Sequence, residues 1–162
     1  MTTSSFNHLR ADGTAHMVDV TGKQPSVREA HAQADVTCSP TVMQALREGT
    51  VPKGDVLAVA RIAGIQAAKH TPDLLPLSHV IGLHGCEVDL DLLDDRVHIT
   101  AKVRTADRTG VEMEAITAAT VAGLAVIDMV KGVDRSAALQ NACVTYKSGG
   151  HSGQWHRPGY ES

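Results

Sequence analysis

Residues 86–135 read CEVDLDLLDDRVHITAKVRTADRTGVEMEAITAATVAGLAVIDMVKGVDR, and the change of pattern inside them decides the fold. Val88, Leu90 and Leu92 alternate with acids, and Val97, Ile99, Ala101 and Val103 alternate again after Asp94-Asp95-Arg96. Two such runs joined by a short charged connection predict an antiparallel hairpin with one buried face. From Ala115 to Ile127 the alternation stops, and only Thr117 and Thr120 are polar. A long helix is expected there. Its Ala115, Ala118, Ala119, Ala122, Gly123 and Ala125 allow close packing on the sheet or on a symmetry mate. Strands on one side and small-faced helices on the other give an α+β sandwich, an antiparallel sheet with helices packed on one face.

Upstream, Met17–Val20 is a candidate strand, and Val36–Cys38 ends another. Ser39 then reads as an N-cap, Pro40 as the first helical residue and Gly49 as the stop of a short helix. V-P-K-G-D (51–55) forms a turn that exposes Lys53, and Asp55 caps a helix over Val56–Lys69 that ends before Thr71-Pro72. Downstream, a short helix near Ser136–Gln140 and a strand Cys143–Lys147 are expected. Residues 1–16 read as a flexible arm and 148–162, SGGHSGQWHRPGYES, as a flexible Gly/Ser-rich tail around a single domain, 1–162.

The long helix is flanked by charge. Glu112 and Glu114 precede it and Asp128 and Lys131 follow. Asp128 and Lys131 are three apart, where a carboxylate and an ammonium meet on one helix face. Glu112 and Glu114 share a side only if Gly110–Glu114 is extended, and the helix is therefore expected to begin near Ala115. About 20 Å of helix would separate Glu114 from Asp128. A site using both ends then needs a second subunit, with symmetry bringing the ends together. On spacing alone, a solvated acid pair and an ordinary surface ion pair remain the alternative.

Composition narrows the class. The chain has 162 residues, 43% hydrophobic content and a net charge of −3, enough apolar material for one core. Nothing aromatic lies between Phe6 and Tyr146. Without stacking platforms or a basic surface, nucleic-acid binding is not expected. A phosphate-bearing ligand would need a local cation cluster, which directs attention to Lys53, Lys131 and Lys147. Cys38, Cys86 and Cys143 are odd in number and widely spaced, as in a reducing, cytoplasmic setting. No signal-peptide core and no charge-free run of membrane length is present. His79, His84 and Cys86 match no standard zinc spacing, and KSGGHSG (147–153) lacks the Walker order.

Several long blocks, VPKGDVLAVARIAGIQAAK (51–69), TGVEMEAITAATVAGLAVIDMVKGV (109–133) and KSGG (147–150), resemble the cyclic pyranopterin monophosphate synthases of molybdenum cofactor biosynthesis. The resemblance runs from Met17 to Gly150. It implies a ferredoxin-like α+β subunit and a hexamer built as a trimer of dimers with sites between subunits. The implied substrate is 3′,8-cyclo-7,8-dihydro-GTP, converted to the tricyclic pyranopterin with a cyclic phosphate as pyrophosphate leaves. No cofactor or metal is implied. Asp128, Lys131 and Lys53 are the implied catalytic residues, and His79, Glu112, Glu114, Lys147 and Lys69 the implied substrate contacts. Ser78 and Val80 stand where the family has cysteine and proline, and His70 and His151 where it has cations, so positive charge is lost there. The rival reading is a weakened relative that binds a nucleotide or pterin as an oligomer.

Overall fold

The computed structural model describes Arg10 and residues 12–160, so most of the expected arm lies outside the described residues. The elements follow in the order β1 (Ser26–Thr37), α1 (Pro40–Glu48), α2 (Val56–Lys69), α3 (Thr71–Leu74), β2 (Gly85–Leu92), β3 (Arg96–Asp107), α4 (Glu112–Val130), β4 (Ala138–Ser148) and β5 (Trp155–His156). The strands form one sheet in the order β2-β3-β1-β4-β5, and every neighbouring pair is antiparallel. It is an α+β fold of the ferredoxin-like kind.

The predicted hairpin is β2–β3, with Cys86 opposite Val103 and Leu92 opposite Val97. Its apolar residues join Ala30, Ala32, Ala34 and Val36 of β1 on one face. Helices α2 and α4 cover that face, and the opposite face carries the polar alternates. The caps are as the sequence indicates. Ser39 Oγ accepts from the Val42 amide at 3.4 Å, Gly49 adopts a left-handed φ of 64°, and Asp55 Oδ1 accepts from the Ala58 amide at 2.9 Å. A Cβ on Gly64 would lie 2.8 Å from the Ala118 carbonyl oxygen, so α2 meets the α4 backbone directly. By length and composition α4 could cross a bilayer, yet half of it is buried inside the protein.

Three expectations are corrected. Met17–Val20 forms no strand. Near Ser136–Gln140 there is no helix, because the Asp134 side chain accepts from both the amide and the hydroxyl of Ser136 and turns the chain into β4. Helix α4 begins at Glu112, not Ala115, since the Val111 carbonyl already accepts from the Ala115 amide at 3.0 Å. Glu112 and Glu114 therefore occupy its first turn, where the helix dipole favours negative charge.

Beyond β4 the chain folds back. Trp155 pairs with Lys147 and His156 with Tyr146, and the Arg157 amide and Nε donate to the Thr145 and Val144 carbonyls at 2.8 and 2.7 Å. Gly149–Gln154 is the tip of this β4–β5 hairpin.

Candidate active site

Two clusters of ionisable side chains sit at opposite ends of α4. At the C-terminal end Asp128 joins two lysines. Its Oδ1 lies 2.6 Å from Lys131 Nζ, and its Oδ2 lies 2.9 Å from Lys53 Nζ. Lys53 also donates to the Asp128 backbone carbonyl at 2.7 Å. Hydrogen bonds from Lys131 and Lys53, reinforced by their charge, hold the Asp128 carboxyl down at about 2. The rigid V-P-K-G-D turn delivers Lys53, and the helix spacing delivers Lys131.

At the N-terminal end a cavity of about 400 Å³ is lined by His79, Glu112, Glu114 and Lys23, with Gly110 at its wall. His79 Nε2 donates to the Val18 carbonyl at 2.6 Å, which fixes the ring at the cavity wall. Glu114 is buried at 4% exposure. Burial pushes its carboxyl up to about 7, and the charge of Glu112 adds to the shift. Such a perturbed acid in a cavity is a mark of a functional site.

Lys23 also lines a neighbouring cleft of about 740 Å³ with Arg28, Gly150, His151 and Ser152. Here glycine is required. Gly149 and Gly150 have φ of 88° and 70°, and a Cβ on either would strike the Val27 carbonyl or the Arg28 guanidinium. Arg28 is fixed by donating Nε to the Asp107 carbonyl at 2.9 Å, and Lys147 Nζ donates to Ser152 Oγ. Cations and exposed amides around a hairpin tip suit a polyphosphate.

The MoaC family model matches residues 17–150, a span that holds both clusters. The chain belongs to the MoaC family. It is 54% identical over 152 residues to the cyclic pyranopterin monophosphate synthase of Streptomyces coelicolor, covering 94% of this chain and 89% of that protein. To the same-named proteins of Nocardioides sp. and Geobacter metallireducens it is 53% and 50% identical over 156 and 155 residues. Those alignments span 94% of this chain in both cases, and 96% and 97% of the relatives.

In this MoaC-family chain the structure brings Lys53, Asp128 and Lys131 into one cluster, and His79, Glu112 and Glu114 into the other, with Lys147 beside the adjoining cleft. Lys69 lies outside both, exposed at the end of α2 and close enough to Cys86 for its charge to act on the thiol. Sequence reasoning missed Lys23 and Arg28. A signal for Arg28 existed: the inward series Ala30, Ala32, Ala34 and Val36, extended backwards, puts an arginine on the core side of a strand.

Proposed function

We propose that this MoaC-family chain is a cyclic pyranopterin monophosphate synthase, a lyase that acts on 3′,8-cyclo-7,8-dihydro-GTP in molybdenum cofactor biosynthesis and releases pyrophosphate. One observation carries the reading of the site. Asp128 holds two ammonium groups together at one end of α4, while a buried acid and a cation-lined cleft sit at the other, about 20 Å away along the helix. The distance is too great for one small ligand.

The active unit is therefore an oligomer, in which one subunit's Lys53–Asp128–Lys131 cluster closes the cavity of another; the family resemblance implies that this oligomer is a trimer of dimers. Opening the imidazole ring, rebuilding a six-membered ring and closing the cyclic phosphate each move protons. Lys131 is the general acid and base, held in place by Asp128, and Lys53 is fixed beside it by the same carboxylate. Glu112 and Glu114 accept from the N–H groups of the guanine-derived edge. Lys23, Arg28 and Lys147 carry the charge that gathers on the departing pyrophosphate.

The test is conversion of 3′,8-cyclo-7,8-dihydro-GTP to pyranopterin, followed by fluorescence after oxidation, for the native protein and for Lys131→Ala and Asp128→Asn. Native turnover that falls at least about a hundredfold in both variants is the expected result, in line with loss of a positioned proton-transfer group. A folded, oligomeric native protein without turnover would overturn the assignment.

A further inference from the structure

Strand β4 pairs with β1 in three successive registers. Ala138, Leu139 and Gln140 stand opposite Thr37, Val36 and Asp35; Cys143 and Val144 opposite Gln33 and Ala32; and Tyr146, Lys147 and Ser148 opposite His31, Ala30 and Glu29. Each break inserts one extra residue into β4. A one-residue slip turns every later side chain to the other face of a sheet. Two slips restore the original face, and Lys147 thereby reaches the helix-covered side opposite Ala30.

The first break contains Asn141, whose φ of 53° is the only positive value at a non-glycine among the described residues. Asparagine is one of the few side chains that accept this conformation. Its Nδ2 donates to Asp35 Oδ2 at 2.9 Å. Asp35 is itself buried at 5% exposure on the polar face of the sheet, where His98 Nδ1 donates to its Oδ1 at 2.7 Å and the Arg96 guanidinium lies at 3.7 Å. A buried carboxylate anchored to β3 thus grips the bulge of β4.

We infer that Asp35 and Asn141 are positioning residues that lock the register of β4 and so choose the face on which Lys147 and the Gly149–Gly150 turn are presented. If the Asn141 bulge is lost while the second break is kept, Lys147 falls opposite Glu29. That glutamate points to the polar face, where it pairs with Lys102 and Arg104. The ammonium then leaves the cleft, and Gly149 and Gly150 lose their seat on Arg28. The functional half of this inference rests on the reading of Lys147 as a substrate lysine.

The register is read directly by a cross-link that leaves the site untouched. His31 and Tyr146 are opposite one another on the polar face, with ring centroids 4.7 Å apart. Directly opposed residues lie within disulfide reach, so His31→Cys with Tyr146→Cys, in a Cys143→Ser background, oxidises to a disulfide. Adding Asn141→Asp, which retains the left-handed backbone but faces Asp35 with a second carboxylate, lowers the cross-link yield several-fold. The exchange Asp35→Asn with Asn141→Asp restores the donor and the yield. An undiminished yield in Asn141→Asp overturns the lock; should that variant not fold, Asn141→Gly takes its place in the same comparison.

The second arm is pyrophosphate binding by calorimetry. Lys147→Ala weakens it by roughly tenfold to a hundredfold, the worth of a charge-assisted bond. Asn141→Asp weakens it comparably, and the two together no more than Lys147→Ala alone. Additive losses overturn the claim that Asn141 acts through Lys147. If the native protein binds no pyrophosphate, the functional reading fails while the cross-link still decides the register.

Discussion

Burial pushes the Glu114 carboxyl up to about 7 from the ordinary 4.5, and a shift of that size is also a statement about stability. The unfolded chain releases this proton near 4.5, whereas the folded chain keeps it up to about 7. Across that window the folded state binds more protons, so stability falls as pH rises, by about 3 kcal/mol in all, and levels off above it. Glu114→Gln removes that slope. Denaturant unfolding at a series of pH values checks it, and a variant with the native pH dependence would contradict the assignment. Glu114 stood out as a candidate site acid because it precedes an uncharged run, but its burial was not legible, since the helix was expected to begin after it. The contact of Lys53 with Asp128 was equally invisible. No pattern in the sequence joins residues 75 positions apart, although each was singled out by its own surroundings.

Local chemistry made the elements legible where it suffices. The β2–β3 hairpin follows from alternation, and α1 and α2 follow from Ser39, Pro40, Gly49 and Asp55, all of which act within four residues. The long strand β1 was seen only at its end, because Arg28, Glu29, His31 and Gln33 interleave with alanines and carry little strand propensity of their own. Pairing with β3 and β4 on either side supplies what propensity does not. The contact of α2 with α4 makes its own prediction. Alanine at an interior helix position gains about 1 kcal/mol over glycine, but at Gly64 its methyl group meets backbone, and overpacking of this kind costs about 1–3 kcal/mol. Gly64→Ala is expected to lose about 1 kcal/mol net and to lower Tm by about 2–4 °C. A thermal melt at or above the native Tm would show that the helices yield more easily than their spacing suggests.

The site proposed above is divided between the ends of one helix and so calls for a partner subunit, a division that the sequence already raised through the helix rise separating Glu114 from Asp128. The face on which each group lies needed the fold. The division has a measurable signature in mixtures. Lys131→Ala and His79→Ala are each expected to be nearly inactive. Dissociated and reassembled together, they recover roughly a quarter of native activity, because random assembly lets one intact half from each variant meet in about one site in four. No recovery would place all the chemistry within a single chain. The scarcity of aromatic side chains has an optical consequence. Trp155 is the protein's one tryptophan, and it is paired across β5 and β4 with Lys147, with the Arg157 guanidinium 5.7 Å from its ring centre. Its emission therefore samples a single hairpin and almost nothing else, so the folded protein carries its own fluorescent gauge of the pairing of β5 with β4 beside Lys147.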